Sequence, residues 1–304
     1  MPENNRKLPI YIIGDNPLAF YLAAQIQSSG ERVILLLQQQ NLDKSLITAG
    51  ISIKEDRSLT QKLHRLESSF IMKEAAQMVI VTAYANRINT ALSSISPQKI
   101  ADAPVVFFTP LKDTDYLRGI LGNNLHPAYF NGFLFYDKQS ISVLGRGVSV
   151  TVCPPTEAEK VDEKVLALFT QSKIETVISG NRLESFWEYF APYALCSIFS
   201  AAENKKISEL LKDKELKETF RPLAQEFCTL AQADNIILNE KNVLKGVYNT
   251  PANYIYPLHQ AVCNGDKTEF NLISSVIADA AYKTKIATPL TRGFLKKLYN
   301  RILG

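Results

Sequence analysis

Residues 8–37 read LPIYIIGDNPLAFYLAAQIQSSGERVILLL, and the punctuation of this stretch decides the fold. Leu8 to Ile13 is a short apolar, β-branched run that stops at Gly14. From Pro17 to Ser29 the apolar residues Leu18, Tyr21, Leu22 and Ile26 fall at helical spacing, with Gly30 where a helix C-cap is expected. Arg32 to Leu37 is a second continuous apolar run, as for a strand buried on both faces. The unit is strand, turn, helix, strand. Further along, Met78–Thr82 repeats the strand pattern, a helical segment surrounds Arg87–Ile95, and Pro104–Phe108 is a fourth buried strand. Strands alternating with helices imply a mostly parallel sheet covered on both sides.

The character then changes twice. Tyr129–Tyr136, Ser140–Leu144 and Val148–Val152 are short strands separated by glycines and polar turns, expected to extend the sheet in antiparallel fashion. A helix over Glu157–Gln171 and a strand over Glu175–Ile178 follow, closed by the turn Ser179-Gly180-Asn181. After Asn181 strand signals fade. Helices are expected over Glu184–Glu203, Ile207–Leu211, Lys214–Ala233, Asn253–Cys263, Phe270–Lys283 and Leu290–Leu303. The fold class is therefore α/β, with an α/β domain over 1–180 and an all-helical domain over 181–304.

Composition narrows the function classes. A chain of 304 residues with a net charge of +4 and interspersed acids and bases carries no run that would track a nucleic-acid backbone. The basic cluster Arg292, Lys296, Lys297, Arg301 reads as a solvated helix face. Cys153, Cys196, Cys228 and Cys263 lie far apart, so neither a metal site nor a disulfide framework is expected, and a reducing cytoplasmic compartment fits. The polar start MPENNRK is unlike a signal peptide. The apolar stretch Phe186–Ala202 is interrupted by Glu188 and Pro192, and reads as a buried helix rather than a membrane span. The expected ligand is a small-molecule substrate or a nucleotide, with no nucleic acid, no membrane, and a homodimer as the assembly to test.

The turn Gly14-Asp15-Asn16-Pro17-Leu18-Ala19 is a partly lost G-x-G-x-x-G fingerprint of a Rossmann unit. In such a turn the first glycine permits the bend, the second lets the backbone approach a pyrophosphate, and the third lets helix and strand pack closely. Gly14 is kept and Ala19 is small enough for the third position. Asn16 tolerates left-handed angles, but its side chain stands in the approach path. Pro17 removes a donor, and Asp15 adds negative charge beside the helix N-terminus that would favour phosphate. At the end of the second strand Gln38 can bond a ribose but brings no charge to choose between NAD and NADP.

The second half carries a resemblance. Lys267-Thr268-Glu269-Phe270-Asn271-Leu272-Ile273, followed by Ala278, Ala281 and Thr288-Pro289, resembles the T-E-[IF]-[DN]-x-[IL] segment of the ketopantoate reductase (2-dehydropantoate 2-reductase) family. Glu184-Ser185-Phe186-Trp187-Glu188-Tyr189-Phe190 resembles that family's W-x-K-L helix start. The resemblance spans nearly the whole chain. It implies a Rossmann domain joined to helices like those of 6-phosphogluconate dehydrogenase. It also implies reduction of a 2-keto acid by NADPH in pantothenate biosynthesis, with a lysine polarising the carbonyl.

Carried over position by position, the family's residues are mostly replaced. The lysine two residues after Trp187 is Tyr189, and the asparagines that follow are Tyr193 and Ser197. The serine falls near Pro257, the asparagine after the fourth strand near Thr109 or Pro110, and the lysine after the third strand near Tyr84. Glu269 alone is kept. Lys205 and Lys206 follow the helix and read as solvated.

The expected site is thus Glu269, Tyr189 and His259 for catalysis, and Gly14, Asn16, Ala19 and Gln38 for NADP. Tyr193, Ser197 and Asn253 are expected at the substrate. Each has a plainer alternative. Glu269 suits a helix N-terminal carboxylate, and His259 a satisfied core or surface residue. Trp187, Tyr189, Phe190, Tyr193 and Phe199 suit a packed stripe, or the lining for a larger apolar ligand. The losses leave three readings open: a divergent NADP-dependent 2-oxo-acid reductase, a pseudoenzyme kept as a nucleotide- or metabolite-binding or interaction module, and a related dehydrogenase for another substrate with Tyr189 or His259 as acid/base.

Overall fold

The computed structural model describes residues 7–38, 50–55, 62–83, 87–108, 112, 114–137 and 140–303. Contacts divide the chain into two compact units, one of residues 1–109 and 113–182, the other of residues 110–112 and 183–304.

The first unit contains strands β1 (Ile10–Ile13), β2 (Val33–Leu36), β3 (Ile51–Glu55), β4 (Lys62–His64), β5 (Glu67–Ser69), β6 (Met78–Val81), β7 (Val105–Phe108), β8 (Leu125–Asp137), β9 (Ser140–Val152) and β10 (Glu175–Ile178). Its helices are α1 (Pro17–Ser28), α2 (Ile88–Ser93), α3 (Pro97–Ile100), α4 (Asp115–Leu121) and α5 (Glu163–Gln171). The strands form one sheet in the order β4-β3-β9-β8-β7-β6-β1-β2-β5, with β10 beside β9. From β5 to β8 every pairing is parallel. That run reproduces the 3-2-1-4-5-6 order of the doubly wound dinucleotide-binding fold. The order reverses at β1, which has β2 on one side and β6 on the other. The carboxyl ends of β1 and β6 therefore flank the crevice where such folds take ligands.

The apolar runs read from the sequence are the central strands, and every residue of β1, β2, β6 and β7 is buried. Helix α1 packs against β1, β2, β3, β8 and β9, so the sheet curls around it. Phe20, Tyr21, Leu22 and Ile26 join one core with strand residues such as Ile12, Leu35, Ile80 and Val150. Each such side chain contributes roughly 1.5–3 kcal/mol by burial.

Two expectations are corrected, and three strands are new. Ser140–Leu144 and Val148–Val152 are a single strand, β9, antiparallel to β8. Gly145 and Gly147, at φ +85 and +119, sit where the register slips opposite Asn131 to Phe133, so the glycines make a bulge rather than a turn. Helix α5 starts at Glu163 rather than Glu157, because Asp162 Oδ1 accepts from the Lys164 N–H at 2.8 Å and caps it there. Strands β3, β4 and β5, three to five residues long, were not read from the sequence.

The second unit is helical among the described residues. It comprises α6 (Arg182–Glu203), whose first residue groups with the sheet unit, then α7 (Ile207–Lys212), α8 (Lys214–Ala231), a 3-10 turn (Gln232–Asp234), α9 (Glu240–Tyr248), α10 (Pro257–Cys263), α11 (Thr268–Thr284) and α12 (Pro289–Leu303). Helix α9 was not read from the sequence. Helix α10 starts later than Asn253 because Pro257 pre-sets its first turn and holds Tyr256 extended. Phe186, Trp187, Phe190 and Phe199 of α6 are fully buried. Phe186 stacks on Phe190 at 5.0 Å, and Phe190 meets Phe227 of α8 edge-on at 6.4 Å. The packed-stripe reading therefore holds for these aromatics, whereas Tyr189 and Tyr193 are only half-buried. Arg301 of α12 donates to the Ala201 carbonyl at the end of α6, and Lys297 pairs with Glu203 at 2.8 Å, so part of the basic cluster serves that helix end. Among the described residues no helix is long and apolar enough to cross a membrane.

Candidate functional site

The first group of candidate residues stands at the carboxyl ends of β1 and β6. Gly14 has φ +153, and a Cβ there would lie 2.3 Å from Thr82 Oγ1. Only glycine lets the chain turn this close to the end of β6. Ala19 is fully buried one turn into α1, 3.4 Å from that same position. Asn16 corrects the expectation drawn for it. Its backbone is extended, at φ −119, rather than left-handed. Its side chain folds back, accepting from the Ala19 N–H at 2.9 Å and donating to the Thr82 carbonyl. It is 5% exposed and works as an N-cap that also ties the turn to β6.

Beside this turn is an ion pair that sequence reasoning missed. Arg87 Nη1 lies 3.1 Å from Asp15 Oδ2. Burial pushes the Asp15 carboxyl above its ordinary range, while Arg87 and a backbone hydrogen bond pull it down. Gln38 Nε2 donates to the Arg87 carbonyl at 3.1 Å, and Gln38 Oε1 is buried without a hydrogen-bond partner. The signal that could have found Arg87 is its place: a cation just past the end of the third buried strand. Tyr84, Thr109 and Pro110 lie outside the described residues.

The second group is in the helical unit. Tyr189 and Tyr193, one turn apart on α6, stack with ring centroids 5.6 Å apart. The Tyr193 hydroxyl donates to Glu269 Oε1. Tyr256 meets Tyr193 edge-on at 5.9 Å, and Tyr254 meets Tyr256 at 5.0 Å. Tyr256 and Thr250 hydroxyls are 3.0 Å apart, and the buried Cys196 thiol bonds with both. Glu269 is the second residue of α11, yet its carboxyl caps nothing. Asp266 accepts the Thr268 N–H at 2.8 Å, and Glu269 turns into the tyrosines, 8% exposed.

Burial sets the proton affinities here. It pushes Glu269 above the usual carboxylate range, against the pull of the Tyr193 hydrogen bond. It drives Tyr193 and Tyr256 well above an ordinary phenol, Tyr254 up to about 12 and the Cys196 thiol up to about 12. Tyr189 is pushed far above 10, so the ordinary phenol acidity expected for it does not hold. The phenols and the thiol keep their protons at neutral pH, and the Tyr193 hydroxyl donates to Glu269. The cluster consists of phenols, a hydroxyl, a carboxyl and a thiol, with no cation among them.

The remaining candidates are dispersed. Ser197, one turn past Tyr193, is fully buried with an unpartnered hydroxyl. Asn253 is exposed beside Tyr254. His259 bonds through Nε2 to Asn204 Oδ1 at 3.1 Å, and burial lowers its pKa. Asn204 follows the last residue of α6, so the recorded partner of His259 lies at that helix end. Lys205 pairs with Asp213 at 3.3 Å. Lys112 is held by Asp234 at 2.7 Å and Asp279 at 3.3 Å, with its ammonium 6.0 Å from the centre of the Trp187 ring.

Comparison with known proteins bears on both groups. Residues 181–300 match the family model described as the ketopantoate reductase PanE/ApbA C-terminal domain. A 2-dehydropantoate 2-reductase from Pyrococcus abyssi (strain GE5 / Orsay) is 20% identical over 286 residues, which is 93% of this chain and 94% of that one. The helical half of the chain is thus similar to the C-terminal domain of ketopantoate reductases. Among solved structures, a D-mandelate dehydrogenase with NADH and anilino(oxo)acetate superposes with TM-score 0.83 at 15% identity, covering 97% of this chain and 98% of that one. A 2-dehydropantoate 2-reductase from Geobacter metallireducens GS-15 does so with TM-score 0.81 at 15% identity, covering 96% and 99%. The chain therefore shares the fold of these proteins along nearly its whole length.

Proposed function

We propose that the protein is a nicotinamide-dependent oxidoreductase that interconverts a 2-oxo acid and a 2-hydroxy acid, with Glu269 and Tyr193 at the carbonyl. The observation that carries this reading is the buried Glu269 carboxyl, hydrogen-bonded by Tyr193 and biased by burial toward its protonated form. Such a group is a proton donor held in a dry environment, where donors aimed at a developing alkoxide stabilise it most. Tyr189, stacked on Tyr193, offers a second hydroxyl donor.

The β1–α1 turn stands where such folds take a nucleotide. Gly14 keeps the close turn that an added Cβ would block, and α1 opens at the topological switch point. Gly14, Asn16 and Ala19 would border its phosphates, and Gln38 its ribose. NADP(H) is the form the family resemblance implies. When bound, a reduced nicotinamide supplies hydride to the carbonyl carbon. The chain's own part is to orient the carbonyl oxygen, exclude water and deliver a proton to that oxygen.

The test is a fluorescence titration with NADH and NADPH, followed by turnover assays on ketopantoate and on the 2-oxo acid of mandelate. Failure of both nucleotides to bind at millimolar concentration overturns the reading. A second reading is favoured by Tyr189, a phenol that burial makes a poorer acid, at the position where the resemblance implies a lysine. On that reading the protein binds a nucleotide or metabolite without turning it over. Nucleotide binding with no turnover of either substrate, and none gained by Tyr189→Lys, is the outcome it requires.

A further inference from the structure

The β1–α1 turn has lost much of its capacity to hold an oxyanion. Pro17 has no N–H to give. The Ala19 N–H is taken by Asn16 Oδ1 at 2.9 Å. These are the groups with which a helix N-terminus ordinarily binds phosphate. A guanidinium stands in the same crevice instead. Arg87 follows β6 and Asp15 follows β1, the two strands whose ends flank the topological switch point, and their side chains meet at 3.1 Å. The Asp15 side chain is 5% exposed and that of Arg87 28%, so the pair turns its cationic side outward. The Gln38 bond to the Arg87 carbonyl ties this residue to the end of β2 as well.

We propose that Arg87 is the phosphate-binding residue of this crevice, exchanging the Asp15 carboxylate for a phosphate oxygen of the nucleotide. The proposal rests on the nicotinamide-nucleotide reading above. A guanidinium fork matches carboxylate and phosphate with the same geometry, so the exchange needs no rearrangement of the backbone. Asp15 competes with the ligand and holds its affinity down. The recognised chemistry is a phosphate oxyanion, either the pyrophosphate common to NADH and NADPH or the 2′-phosphate that only NADPH carries.

The experiment measures NADH and NADPH affinity by nicotinamide fluorescence at fixed ionic strength for the full-length wild type, Asp15→Asn and the double variant Asp15→Asn/Arg87→Gln. The comparison is made in the Asp15→Asn background because Arg87→Gln alone would leave a buried carboxylate without its cation. Thermal melts of each variant check that it is folded. Asp15→Asn is expected to bind about threefold or more tighter than wild type, and the double variant about tenfold weaker than Asp15→Asn. An equal loss for both nucleotides assigns Arg87 to the pyrophosphate, and a loss confined to NADPH assigns it to the 2′-phosphate. Equal affinity of Asp15→Asn and the double variant, with wild type binding nucleotide, overturns the role of Arg87 and leaves the cofactor reading standing. No binding of either nucleotide to wild type or Asp15→Asn overturns both.

Discussion

Glu269 is one residue whose charge state the whole helical unit bears on. Burial raises its pKa in the folded protein, so the fold holds this proton more tightly than the unfolded chain does. The stability tied to the protonated form is complete below the ordinary carboxylate range and is lost as pH rises through the raised folded value. Glu269→Gln keeps an acceptor for Tyr193 and removes that titration. Its melting temperature relative to wild type is therefore expected to climb as pH is raised from about 4 to about 8. A difference that stays constant over that range would show that Glu269 is not the group being titrated. Tyr193→Phe tests the other partner. It strips the buried carboxyl of its donor, with an expected cost of roughly 1–3 kcal/mol in urea unfolding. In a double-mutant cycle with Glu269→Gln, that cost should shrink once the carboxylate is gone.

At the scale of the element, α1 shows what a local pattern can and cannot carry. Its start, its apolar face and its stop at Gly30 follow from residues within one or two turns of each other, and they were legible. The role of Asn16 was not. As a candidate ligand contact it was judged by its backbone tolerance, but its side chain is spent on the Ala19 N–H and on Thr82, sixty-six positions away. Asn16→Ala is expected to cost about 1–2 kcal/mol in chemical denaturation through loss of the cap. Asn16→Asp should recover the part due to the cap but not the tie to Thr82, since a carboxylate cannot donate to that carbonyl. Full recovery by Asp would mean that the tie to β6 adds nothing. The same division runs through the sheet. Buried strands announced themselves by continuous apolar runs, whereas β5, with no buried residue, is a strand because β2 offers it a parallel partner.

For the whole molecule, Lys112 is informative because it lies between β7 and α4 of the sheet unit yet groups with the helices. It neutralises Asp234, which also accepts from the Trp187 indole at 2.7 Å, and Asp279. Lys112→Met leaves Asp234 with little exposure and without its cation. The expected loss is about 1–3 kcal/mol, below that for a fully buried pair because Lys112 keeps some solvent. Trp187 is the chain's single tryptophan, so its emission reads the change directly. Unchanged emission and unchanged stability would show that Lys112 does not anchor this segment.

The sequence by itself determined the alternation of strands and helices, the turn at Gly14 and the change to a helical second half. Those properties depend on neighbours within a few residues, where spacing and side-chain type dictate backbone geometry. Only the tertiary structure decided what the polar residues do. Asp15 meets Arg87 across seventy-two positions, and Tyr193 meets Glu269 across seventy-six. Such pairings are set by strand order and helix packing, for which no local pattern codes. They bring Arg87, at the start of α2, to the turn after β1, and set the Glu269 carboxyl among tyrosines.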